Sequence, residues 1–242
     1  MEVVTENFLR MSEPASKTEL LRRLGQLVRG LSALFWGLPL TLLIYILTAR
    51  TDLFSLGHFA ILPPIIVSVL LLFGLGQIGQ FQKQERIWSN TVERARLFGI
   101  VNLGLSPFLY WWHRLPFIAF YYIAVLLLAA SSLLFLFILN RVLDRLAAML
   151  PDETLRLETK LFTTFNRRVL LAVPILLIIY FALGFISTLP EFVRIILERV
   201  DQTESHGLWL IIFLILMPLA MTMALIWKIK EVVFASILET DR

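Results

Sequence analysis

Three histidines stand apart in this chain: His58, His113 and His206, each in a short polar interval between long apolar stretches. Converging imidazoles can ligate a transition metal or titrate near neutral pH. No two of them share a ligand spacing such as HxxxH, so they read either as a weak metal or pH-sensing set on one face or as ordinary surface residues. Arg114 adjoins His113, and a lipid-modifying activity would need this pair to act on headgroups. A second set lies within the apolar stretches: Tyr45, Asn102, Tyr121, Tyr122, Ser131, Ser132, Tyr180 and Thr222. Neutral hydroxyls and amides at such depth either hydrogen bond between helices or line a pocket for an uncharged polar solute. They cannot load and release a proton near pH 7.

Much chemistry is excluded by what the chain lacks. There is no cysteine, hence no disulfide, thiol nucleophile or cysteine-based metal site. No Ser-His-Asp, HExxH or Walker pattern occurs. The glycines Gly74, Gly76 and Gly79 of "FGLGQIGQ" follow no strand and precede no phosphate-loop lysine, so they are expected at helix contacts. Nothing in the sequence calls for a cofactor.

The elements that must position these residues are set by hydropathy. Hydrophobic residues are 58% of 242, against about 45–50% in soluble domains. They fall in blocks of the length a bilayer requires, about 20 residues per helix. Residues 31–48, 61–79, 117–140, 169–189 and 207–227 each form such a block, and none contains Asp, Glu, Lys, Arg or His. The first block follows a charged leader with no small-residue cleavage pattern, so it is expected to be a retained span and not a signal peptide. The net charge of +4 reads as a topology signal, with no nucleic-acid partner expected.

Segment 97–112, "LFGIVNLGLSPFLYWW", decides the orientation. If it stays outside the bilayer there are five spans, and with the N-terminus inside, the basic residues divide twelve inside to ten outside. If it crosses, there are six spans, both termini lie inside, and the division becomes eighteen to four. The second division is the asymmetry that insertion favours. "HRLP" is then an outer turn, with Tyr110, Trp111 and Trp112 at the headgroup level and Pro116 in the first turn of the next helix.

Amphipathic segments precede three of the spans. Ser16 and Glu19 have capping-box spacing, and Leu20, Leu21, Leu24, Leu27, Val28 and Leu31 share one face opposite Arg22, Gln26 and Arg29. This predicts an interfacial helix over 17–30. A second segment turns Ile87, Trp88, Thr91, Val92 and Ala95 one way. A third, 141–168, splits at Pro151 into one helix with Leu143, Leu146, Ala147 and Leu150 on its apolar face and another with Leu155, Phe162 and Phe165. Prolines Pro39, Pro63, Pro64, Pro107, Pro174 and Pro218 fall inside expected spans and would bend them. Pro39, Pro107 and Pro174 recur at intervals of 68 and 67 residues, which fits either three related hairpin units or hairpins of similar length.

The expected fold is all-α: a polytopic membrane protein of six transmembrane helices in three hairpins, with cytoplasmic amphipathic helices. Residues 1–30 form a cytoplasmic N-terminal segment, 31–227 the bundle (31–48, 61–79, 97–112, 117–140, 169–189, 207–227) and 228–242 a cytoplasmic tail. The expected location is the inner (plasma) membrane of a bacterial-type cell. Because no ionisable residue lies at depth, the leading expectation for function is a non-catalytic scaffold or assembly partner. Its partners would be the lipid bilayer and a membrane protein or further copies of itself. A passive channel or transporter for an uncharged or amphipathic solute is the rival.

Overall fold

The computed structural model describes residues 2–50, 57–81, 85–150, 153–185 and 204–240. Every element among them is helical: α1 (Glu2–Arg50), α2 (Leu62–Ile78), α3 (Arg86–Leu105), α4 (Phe108–Arg114), α5 (Ala119–Met149), α6 (Glu153–Phe185) and α7 (Glu204–Thr240), with a 3-10 turn over Gly57–Ile61 before α2. Among the described residues three helical stretches are long and apolar enough to cross a membrane, Arg22–Arg50, Phe59–Ile78 and Ala119–Met149. The chain is an all-helical protein with the hallmarks of a membrane protein.

The helices pack through seams spaced alternately three and four residues, the repeat that keeps one stripe facing a neighbour. In α1 the seam is Leu24, Leu27, Leu31, Leu34 and Leu38, all buried. It lies mainly against α2, with α4 and α7 also touching α1. This departs from the expected break near residue 30. No proline separates the amphipathic segment from the span, and Gly30 at the junction stays helical, so α1 runs through. The lower part of its apolar stripe continues the span's own packing face and is covered by the chain. In α3 the seam is Trp88, Val92, Ala95, Gly99 and Asn102, packed on α5 and α2. The five α1 seam positions plus 68 give Val92, Ala95, Gly99, Asn102 and Ser106, all buried. The interval that relates Pro39 to Pro107 thus also relates two packing faces.

α1 and α2 approach so closely that side chains do not fit between them. A Cβ built on Gly30 would lie 2.8 Å from the Gly74 carbonyl oxygen, and one on Gly74 would lie 3.1 Å from the Gly30 carbonyl. The expected packing role of Gly74 is thereby met, and Gly30 joins it as its unforeseen counterpart.

The prolines act differently from one another. Pro63 and Pro64 lie in the first turn of α2, where their missing N–H groups have no intrahelical acceptor to lose. They start the helix and do not bend it. Pro107 divides segment 97–112 between α3 and α4, although Ser106 and Pro107 keep right-handed helical dihedrals. Pro107 cannot donate to the Leu103 carbonyl, and the Ser106 hydroxyl does so in its place at 2.9 Å. After α4, residues 115–118 turn the chain, and α5 begins at Ala119, so Pro116 belongs to the turn and not to the helix. Aromatic contacts close this turn: Trp111 stacks on Tyr121 at 6.3 Å, and Phe108 meets Phe120 edge-on at 5.6 Å.

α5 runs past the expected end of its span, and Leu143, Leu146, Ala147 and Leu150 are buried as the pattern predicted. α6 reverses expectation. Phe162 and Phe165 are exposed, and the buried face is Thr159, Thr163, Asn166, Leu170 and Val173. Leu155 lies outside the described side chains. The first turns of α6 therefore turn hydroxyls and an amide inward and large apolar groups outward.

Candidate functional site

The inward face of α6 meets α5 and α7 at a polar network drawn from all three helices. Asn140 is in α5, Asn166 in α6 and Thr222 in α7; they are 2%, 1% and 0% exposed, so every bond they make is shielded from water. The Asn140 amide Nδ2 donates to the Leu136 carbonyl at 2.8 Å and to Thr222 Oγ1 at 3.0 Å. Its Oδ1 accepts from Asn166 Nδ2 at 3.0 Å. Asn166 Nδ2 also points at the Pro218 carbonyl (3.1 Å) and Thr222 Oγ1 (3.0 Å). The Thr222 hydroxyl closes the set by donating to the Pro218 carbonyl at 2.7 Å.

The direction of each bond follows from two backbone carbonyls, which only accept. Leu136 fixes the Asn140 amide, and Asn140 with Pro218 then fixes that of Asn166. This leaves Asn166 Oδ1 buried with no hydrogen-bond partner. Around the network, Thr163 Oγ1 lies 3.5 Å from Asp144 of α5, at the outer limit of a hydrogen bond. Arg167 sits over the Phe137 ring at 5.3 Å, and Glu158 is ion-paired with Lys228 of α7. That pair joins α6 to α7, is half-exposed and adds little to stability on its own.

Of the sequence-derived candidates Thr222 enters this network; the others are distributed and do not converge on it. Tyr45 of α1 hydrogen bonds Ser68 of α2 at 2.7 Å. Asn102 of α3 accepts from Ser131 of α5. Ser132, beside Ser131, is only partly buried, Tyr121 belongs to the aromatic turn, and Tyr122 is exposed. Arg114 lies over the Tyr110 ring at 5.6 Å, and His113 next to it is partly buried. The side chains of His58, Tyr180 and His206 lie outside the described residues. Among the described residues no three of His, Asp or Glu are grouped as a metal site would need, and no charged residue is buried.

Asn140 and Asn166 were not singled out in the sequence. Asn140 ends an apolar block, and Asn166 lies in "TTFNRR", which reads as a charged connection. The available signal was the spacing of Thr159, Thr163 and Asn166, four and then three residues apart on one face. Chemically, the network offers amides, hydroxyls and carbonyls and no group able to exchange a proton at neutral pH. It can hold helices or bind a neutral donor; its one hydroxyl, that of Thr222, donates to the Pro218 carbonyl and to no basic group. The chain matches no protein-family model, no curated protein and no solved structure, so its own geometry carries the functional reading.

Proposed function

We propose that this protein is a non-catalytic, multi-pass scaffold or assembly partner of a bacterial-type inner membrane, crossing six times with both termini inside. The observation that carries the reading is how its interior polar groups are used. Tyr45 binds Ser68, Asn102 binds Ser131, and Asn140, Asn166 and Thr222 bind one another. Each set joins helices, as interhelical hydrogen bonds in membranes do. Between the sets lies a continuous leucine-rich core that runs from Leu24 through Leu75 and Leu139 to Ile229. A solute path would need polar groups facing a shared space.

Three further features support the six-span arrangement. The α3–α4 path is interrupted only at Ser106–Pro107, with helical dihedrals kept there. Leu97, Ile100 and Val101 are exposed opposite the buried Gly99 and Asn102, which suits a face against lipid. The division of basic residues is eighteen to four on this topology.

The native chain has no cysteine, so single cysteines report cleanly. In sealed inside-in membranes, His113→Cys should react with an impermeant thiol reagent added outside, and Asp152→Cys should react only after permeabilisation. Ser131→Cys should remain unreactive toward a small water-borne thiosulfonate in both conditions. Reaction at 152 from outside would overturn the topology. Rapid reaction at 131 would reveal a water-filled interior and favour the transporter.

A further inference from the structure

We draw no further inference here: the strongest candidate, the inward side-chain cluster of α6 where Thr159 Oγ1 and Asn166 Oδ1 are buried without a hydrogen-bond partner, carries none, because Asn166 belongs to the interhelical network already described and nothing among the described residues shows what would meet either atom.

Discussion

Replacing Asn166 by alanine is expected to destabilise the folded bundle by about 2 kcal/mol. Asn166 Nδ2 is the donor that links α6 to Asn140 of α5 and to Pro218 and Thr222 of α7. Single interhelical hydrogen bonds in membranes average only about 0.6 kcal/mol. The larger figure arises because Asn140 Oδ1, in a residue 2% exposed, would lose its donor and remain buried. Pro218 is less affected, since Thr222 still donates to its carbonyl. Reversible unfolding in mixed detergent micelles measures the loss. Thr222→Val should cost less in the Asn166→Ala background than in the native one, because the two residues share bonds. Additive losses would show that the three side chains are independent.

An alanine at position 30 should be more damaging than its single added methyl suggests. The new Cβ would fall 2.8 Å from the Gly74 carbonyl oxygen and 2.8 Å from Ile78 Cγ1. Ile78 is fully buried, and the carbonyl is part of α2's own ladder, so neither can yield without parting the helices. Overpacking of this kind costs about 1–3 kcal/mol, and the upper end is expected here. Gly25, on the same helix, has nothing within 4 Å of its built Cβ. Gly25→Ala should therefore be neutral or stabilising, by up to about 1 kcal/mol from helix propensity. The opposite signs of these two substitutions, read in one unfolding assay, isolate the close approach from any general effect of alanine.

Element type was legible in the sequence, and element facing was not. Long blocks without charge announced helices, and the apolar face of Leu143, Leu146, Ala147 and Leu150 was read correctly because charged Arg141 and Arg145 mark the exposed side of the same helix. For α6 the same logic chose the wrong face. Burying the most apolar stripe is sound where the alternative is water, but it fails where the outer face of a helix is itself apolar. Asn166 turns inward to bond Asn140, Pro218 and Thr222, and Thr163 to bond the Lys160 carbonyl, while Thr159 is carried in on the same face with its hydroxyl unpartnered. The same ambiguity hid the candidate site. Tyr45, Asn102 and Ser131 were visible as polar residues within apolar blocks, yet their partners could not be assigned without the packing. Asn140 and Asn166 lay at block boundaries, where polarity looks like the onset of a loop. The continuity of α1 was also hidden, because an amphipathic stripe ahead of a span looks alike whether it lies on lipid or continues the span's seam. Hydropathy alone reads Pro63 and Pro64 as bends, although the expected span begins at 61 and already places them in the first turn, where they open the helix.

On the proposed scaffold function the interior polar groups hold helices together and do not form a path. Solute flux through the purified protein in sealed vesicles tests it most directly. Proteoliposomes loaded with an uncharged polyol or a small amphipathic solute should equilibrate at the rate of protein-free vesicles, and an imposed pH gradient should drive no accumulation, since no charged residue is buried among the described residues. Saturable flux above the protein-free rate, abolished by Asn166→Ala or Ser131→Ala, would contradict it.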